Sequence, residues 1–559
     1  MKQSAMIGLA TALFSCGAAV AVPVPRPVLA DRLESDVDII GIVHWGFNTY
    51  MDHDWGYGDE DPAMLNPKSF DADQIVRGCA DGGIKGLVFV AKHHDGFCLW
   101  PTKTTDFNIS KAPFRNGKGD YMREMSDACR RANVLFGVYV SPWDRNNAGY
   151  ATPAYVKTFH EQVRELLDGR YGEVFEMWFD GANGGDGYYG GAREVRKIGP
   201  NYYDFDTLFV VVRKLQSKAC IFTERRDDAD FRWPANERGI LADDSRATIR
   251  PYDCEENFPT YGNVGDIGGT VFHPCEADFP LRPSWFYQES QNGSVKSGEY
   301  LMKLYLSCVG NGGMMNIGIA PDRDGRLHAE DVRELRRFRE IKERFFSVPV
   351  RDGGLFNMIV MSEDIRKGER IVHWDLFAGK DALLSGKSIG RRRIRLLDKP
   401  LLAKDCMVKA FDADGGVISV RTEFFRVDPK LAQSVSDATD PSIVYDRDGV
   451  AQFISSDERT AVCRFKASST FNCLVFVPDL KRLGGTPVAF RLSVSDDGKV
   501  WKQVKGGVYR LDNVAANPIP QYVRLSESVR GTYLRVEAER TLSDKPFALF
   551  GVNSAYFDK

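Results

Sequence analysis

From about residue 38 to residue 320 the chain alternates short, almost uninterrupted apolar runs with amphipathic stretches, and few folds accommodate that pattern. "DVDIIGIVHWG" (36–46), "IKGLVFVAKHHDG" (84–96), "VLFGVYVSP" (134–142), "EVFEMWFDGA" (173–182), "CIFTE" (220–224) and "MMNIGIAP" (314–321) read as strands. Between them "DADQIVRGCADGG" (71–83), "DYMREMSDACRRAN" (120–133), "YVKTFHEQVRELLDGRYG" (155–172), "DTLFVVVRKLQSKA" (206–219) and "SGEYLMKLYLSCVGNGG" (297–313) carry helical periodicity. Strands that are apolar at nearly every position must be covered on both faces, as in a parallel sheet wrapped by its crossover helices. Repeated βα units over this length predict an α/β fold, a (β/α)8-like barrel over residues 31–347. A doubly wound sheet is the competing arrangement, but no glycine-rich phosphate loop follows the first strand.

After the charged helix "HAEDVRELRRFREIKERFF" (328–346) the texture changes to short runs rich in Val, Arg, Asp and Gly with frequent turn signals. That predicts two β-sandwich modules, at 350–430 and 440–559, split near "DPKLAQSVSDATDPS" (428–442). A weak internal echo, 355–377 against 470–494, supports a tandem. At the other end, residues 1–21 have the pattern of a signal peptide: Lys2, a short apolar run, then "AVA" before the cleavage point. Cys16 in "LFSC" offers lipidation as the alternative. The expected location is outside the cytoplasm of a bacterium, in the periplasm or as an outer-membrane or cell-surface lipoprotein. No later stretch is long and apolar enough for a transmembrane helix. The eleven cysteines are scattered, without CxxC pairs, so a structural zinc site is not expected.

A net charge of −3 without a basic block excludes a typical nucleic-acid binder. The informative residues lie where the predicted strands run out. His44 and Trp45 close the first; His93, His94 and Asp95 close the second, with Phe97 and Trp100 just beyond; Tyr139, Trp143 and Asp144 follow the third; Trp178 and Asp180 end the fourth. In a barrel these carboxyl ends share one face, where active sites are built. Each residue has a plainer role open to it. Adjacent strand residues point to opposite sides, so one of His93 and His94 could be packing. Trp100 and Trp143 could be core, and Asp180 could cap the following segment. Yet a carboxylate at the end of "FEMWF" costs desolvation unless it is partnered or employed, and a nucleophile is the employment expected for it.

"IVHWGFNTY", "FVAKHHDGFCLWPTKTTDFNI", "GVYVSPWD" and "MWFDGA", in this order, resemble the α-L-fucosidases of glycoside hydrolase family twenty-nine. The resemblance covers roughly residues 38–345. It implies a retaining exo-α-L-fucosidase with Asp180 as nucleophile, and His44, His93, His94, Trp100, Tyr139 and Trp143 around the fucose ring. Trp178 and Trp285 join the expected sugar-site residues. Retention needs a second carboxyl about 5–5.5 Å from the first. "DFRWPANERG" (230–239) matches the acid/base stretch of the branch acting on α-1,3/1,4-fucosyl linkages, which places that role on Glu237; Pro234-Ala235 departs from the usual residue-Gly. Glu276, in "HPCEADFPLRPSWFYQ", is the runner-up, and Glu255 and Glu256 are weaker candidates. The expected partner is a fucosylated oligosaccharide or glycoconjugate; no cofactor is expected. The segment 184–205 reads as an added loop whose tyrosines either touch the leaving group or cap the barrel. "FNCLVF", "FRLSVSDDGKVWKQV" and "YLRVEAE" resemble a discoidin-like (coagulation factor 5/8 type C) sandwich, expected mainly to prop the barrel.

Other readings stay open at this point. The histidines with Asp180 could serve a metal-dependent hydrolase, although HxH and HExxH spacings are missing. The barrel could instead be a secreted glycan-binding protein without turnover, or a fucosidase of broader or α-1,2 preference.

Overall fold

The computed structural model describes residues 22–555 apart from 53, 182–187, 190–193, 224–225, 227, 252–263, 352, 444–450, 452 and 512. The expected signal peptide, Cys16, Glu255 and Glu256 therefore lie outside the described residues. The apolar runs form parallel strands β1 (Ile39–Val43), β2 (Gly86–Lys92), β3 (Leu135–Val140), β4 (Glu176–Phe179), β5 (Cys220–Thr223), β6 (Glu276–Pro280) and β7 (Met314–Ile319). β1, β2, β4, β5, β6 and β7 are buried along their whole length. Their order in the sheet is β6-β7-β1-β2-β3-β4-β5. Neighbouring strands in this path are parallel, as crossover helices require.

The sheet closes through a two-residue stave. Phe222 of β5 bridges in parallel to Phe231, and Arg232 bridges in parallel to Cys275, just before β6. The eighth position of the barrel is thus filled by Phe231-Arg232, held by Arg232 side-chain hydrogen bonds to the carbonyls of His273 and Arg246. At the amino-terminal end of the strands the Phe175 ring is seated where Gly86 and Gly137 leave room. A Cβ at either would lie 2.7 or 2.9 Å from it, so the barrel is plugged below.

The helices carry their stop and start signals in sequence. α1 (Pro27–Glu34) precedes β1. In α2 (Ala72–Asp81) Asp71 caps the Gln74 amide, and in α3 (Tyr121–Ala132) Asp120 caps that of Arg123. α3 ends on Asn133 in the left-handed region, a habit of Asn as well as Gly. α4 (Pro153–Leu167), α5 (Phe205–Leu215), α6 (Gly298–Cys308) and α7 (Ala329–Phe345) complete the outer layer. No helix among the described residues is long and apolar enough to cross a membrane. The nine described cysteines are all free.

Beyond α7 come two four-stranded antiparallel sheets around Phe356, Ile359, Met361, Trp374 and Leu376. Arg391 and Arg392 reach back to Asp38 at the foot of β1 and hold that carboxyl well below its usual range against its burial. A third sheet, of seven strands, follows. Its long strands, Thr460–Val477 and Gln521–Thr541, pair antiparallel. Register breaks between Arg464/Ser469 and Phe471/Cys473 let the sheet curl round Leu474, Phe490, Leu492, Leu534 and Val536. The echo between 355–377 and 470–494 is one of element order, strand then 3₁₀ turn then strand. Pairing differs: the first copy's strands sit in separate sheets, the second's in one.

Candidate active site

Asp180 follows the last residue of β4, where the strand leaves the core, and its side chain is 23% exposed. The Tyr139 hydroxyl, near the end of β3, donates to Asp180 Oδ2 at 2.6 Å. Burial, then the Asp180 charge, pushes the Tyr139 phenol well up, so it stays a donor. His94 places Nε2 3.7 Å from the same Oδ2. Its Nδ1 lies 2.7 Å from Ser141 Oγ, and the Ser141 hydroxyl donates to the Trp143 carbonyl at 3.0 Å. A hydroxyl has one proton to give, so Ser141 accepts from His94 Nδ1–H and Nε2 is left as an acceptor. His94 Nε2 then faces Asp180 Oδ2, the oxygen that accepts from the Tyr139 hydroxyl.

The other histidines join this cluster. His93 lies parallel to Tyr139, centroids 5.8 Å apart, and 4.2 Å from the His94 ring. His44, following β1, contacts His93, Tyr139, Trp285 and Phe286 with centroids 5.0–5.9 Å apart. Burial lowers His44 to about 3 and holds His93 and His94 well below the ordinary imidazole value, with neighbouring positive charge adding to the effect for the last two. Burial thus disfavours the charged imidazolium at all three.

Glu237 lies past the Phe231-Arg232 stave and is partly buried. Trp285 Nε1 donates to its Oε2 at 2.8 Å, and the Asn513 amide donates to the same oxygen at 2.5 Å. Burial raises Glu237 to about 8; the two donors pull down, and the charges of Asp54 and Asp180 push up. Asp180 and Glu237 thus sense one another across the carboxyl-terminal face.

Glu276 occupies a different place. It opens β6, fully buried, accepting on Oε1 from Trp178 Nε1 at 3.0 Å and from the Asn316 amide at 2.9 Å. Glu176, which opens β4, is equally buried, and burial and Glu276 hold it well above the carboxylate range. Burial raises Glu276 as well, so ionisation of both carboxyls together is disfavoured. Trp178, expected against the sugar, stacks between Tyr139 (5.3 Å) and Phe222 (3.9 Å), beneath the face.

Trp100 is not brought to the cluster. Fully buried, it donates to Glu165 on α4 at 2.9 Å, which makes it a tie between strand and helix layers. Trp143 is fully buried as well, but its ring touches His94 at 5.0 Å and carries the Arg145 guanidinium at 4.0 Å. Asp95 and Asp144 are buried and accept from nearby backbone amides, Phe97 N on one and Asn146 N and Asn147 N on the other. Within 184–205, the described Tyr202 and Tyr203 pack on Tyr150 and Phe159 at the helix layer, so these two cap the barrel. Sequence reasoning missed Trp55, whose ring stands edge-on to His94 and Trp143, together with Asp54, Phe286 and Asn513. "DHDWGYG" held a signal for Trp55, an aromatic in a glycine-rich loop after the first strand. Asn513 had none, being 276 residues from its partner. No group of three or more His, Cys, Asp or Glu among the described residues is arranged to hold a metal ion.

The α-L-fucosidase family model matches residues 34–340, the barrel and its site. Alpha-L-fucosidase 1 of Arabidopsis thaliana is 34% identical over 336 residues, 58% of this chain; the aligned part spans 63% of that relative. A crystal structure of a glycoside hydrolase 29 family member from an unknown rumen bacterium superposes with a TM-score of 0.68 at 29% identity, over 96% of this chain and all of the other. A Bacteroides ovatus structure gives 0.65 at 28% identity, over 96% of each chain. With the family model covering more than half its length, and the barrel's strand ends carrying the family's motifs, the chain belongs to the α-L-fucosidase family, glycoside hydrolase family 29.

Proposed function

We propose that this protein is a retaining exo-α-L-fucosidase that removes terminal α-linked fucose, with a preference for α-1,3/1,4 branches. The observation that carries the reading is the pair of unlike carboxyls on one face. Asp180 is anchored by a phenolic donor, and Glu237 is held protonated up to about 8 by burial and its acidic neighbours. Divergent carboxyl environments of this kind divide a nucleophile from an acid.

An Asp180 carboxylate oxygen attacks the anomeric carbon while the Glu237 proton passes to the glycosidic oxygen. The C1–O bond to the leaving sugar breaks and a fucosyl ester on Asp180 forms. Water then attacks C1, gives its proton to the Glu237 carboxylate and releases Asp180. A sugar hydroxyl reaching His94 Nε2 would meet an acceptor beside Asp180, whose Oδ2 already accepts from the Tyr139 phenol. His44, His93, Phe286 and Trp285 form a wall with apolar ring faces suited to a deoxy sugar's methyl group. Glu276, sealed at the other end of the strands, is left to structure.

The test is a panel of Lewis-type trisaccharides, 2′-fucosyllactose and nitrophenyl fucoside, followed by NMR of the first-formed anomer. Release of the α-anomer supports retention; release of the β-anomer, or no fucose from any substrate, overturns the proposal.

A further inference from the structure

The Asn513 contact on Glu237 comes from outside the barrel. Asn513 lies on the connection that leads into the strand Gln521–Thr541 of the third sheet. That connection grips the barrel at three points. The Asn513 amide donates to Glu237 Oε2 at 2.5 Å, the Glu237 amide donates to the Ala516 carbonyl at 3.4 Å, and the Asn517 amide donates to the Pro283 carbonyl at 3.0 Å. Pro283 lies two residues before Trp285, the other donor to Glu237. The connection is anchored in turn by Leu511 and Val514, buried to 4% and 1% exposure.

We propose that the module of the third sheet completes the active site, with Asn513 as a positioning residue that, together with Trp285, occupies Oε2 of Glu237 and leaves the transferable proton to Oε1. This rests on the reading of Glu237 as the acid/base. The chemistry is simple. A carboxylic acid has one O–H, and two N–H donors converging on one oxygen repel a proton there. Once the proton has gone to the leaving sugar, the same two donors hold the carboxylate through charge-assisted bonds, which are stronger than those to the acid. They therefore favour proton release. The groups facing Glu237 work against it: Asp54 from the loop after β1, Asp180 from the end of β4 and Asp278 on β6 are acidic, and Tyr139 on β3 is a neutral phenol. Asn513 is a counterweight to that acidity supplied by another module. Its φ of 57° is a left-handed conformation that Asn tolerates and Gly adopts freely.

The test uses the full-length protein with Asn513→Gly, which deletes the amide at no backbone cost, and Asn513→Asp, which replaces the donor by an acceptor at equal size. Asn517→Ala serves as a docking control that does not touch Glu237. Rates are measured against pH with aryl fucosides of good and poor leaving groups, and folding is checked by thermal melting. Asn513→Gly is expected to lose about tenfold in kcat/KM on the poor leaving group, little on the good one, as loss of one hydrogen bond to a charged group predicts. Its alkaline limb should move to higher pH, because Glu237 then gives up its proton less readily. Asn513→Asp should do both more strongly and answers the question alone if the glycine variant does not melt cooperatively. Asn517→Ala should keep the wild-type limb. A wild-type limb and leaving-group dependence in both Asn513 variants overturns the inference, as does a shift of equal size in Asn517→Ala. Glu237→Gln run in parallel separates the two readings. If it retains the poor substrate, the acid/base assignment itself fails; if it loses that substrate while Asn513→Gly behaves as wild type, only the role of Asn513 fails.

Discussion

Two of the barrel's carboxyl pairs sit at opposite ends of the strands. Glu176 and Glu276 open β4 and β6, fully buried, with Trp178 and Asn316 donating to Glu276. Asp180 and Glu237 lie beyond the strand ends, the first 23% exposed, the second reached by a loop from another module. Burial raises Glu176, Glu276 and Glu237 alike, so a displaced pKa does not separate function from structure here. Access does. The lower pair is fully buried, with Glu276 held by Trp178 and Asn316; the upper pair lies beyond the strand ends, where Asp180 is part-exposed.

The contrast is broken most sharply from above. Asp180→Asn should abolish turnover of every fucoside, by roughly 10⁴-fold or more, since no other group can form the ester. Steady-state rates of the purified variant on nitrophenyl fucoside check this. Glu237→Gln should lose about 10²–10⁴-fold on natural glycans. It should spare the first step on good leaving groups and recover with azide, which needs no general base; product analysis for fucosyl azide reads that outcome. The wild-type pH profile sharpens the comparison further. Glu237 must be protonated to act as acid, and its folded value is raised to about 8, so kcat/KM should hold through neutral pH and fall as pH rises through about 8. A fall already complete near pH 5 would show an acid with an ordinary carboxyl environment.

The upper pair was half legible in the sequence. Asp180 stood out because an apolar strand ended in a carboxylate, and His44, His93 and His94 because strand ends in a barrel converge. The barrel was legible wherever strands were apolar on both faces. β6 was not: "EADFP" points Glu276 and Asp278 to the side where β7 places Asn316, and a strand with two acids and a proline gives no period-two signal. The stave Phe231-Arg232 is too short to read as a strand, being held by isolated bridges. Trp100 and Glu276 drew attention as residue types in suggestive places; Trp100 is buried against Glu165 on α4, and Glu276 is buried with Trp178 and Asn316 donating to it. Asn513 was illegible for a different reason: its meaning depends on how two modules dock, which no local pattern encodes.

The lower pair yields the smallest effects and the best control. Both Trp178 Nε1 and the Asn316 amide donate to Glu276 Oε1. Glu276→Gln keeps an acceptor oxygen there and removes one of two carboxyls competing for a proton. It should change stability by less than about 1 kcal/mol and leave the pH limbs of kcat/KM in place. Glu276→Ala strands two buried donors and opens a small cavity, which should cost about 2–4 kcal/mol by chemical denaturation. Even so, the folded fraction should keep the wild-type leaving-group dependence, because the lost group never meets substrate. If Glu276→Gln instead showed azide rescue and lost only poor leaving groups, the acid would lie at the foot of β6, and the division of this barrel into a structural end and a reactive end would be reversed.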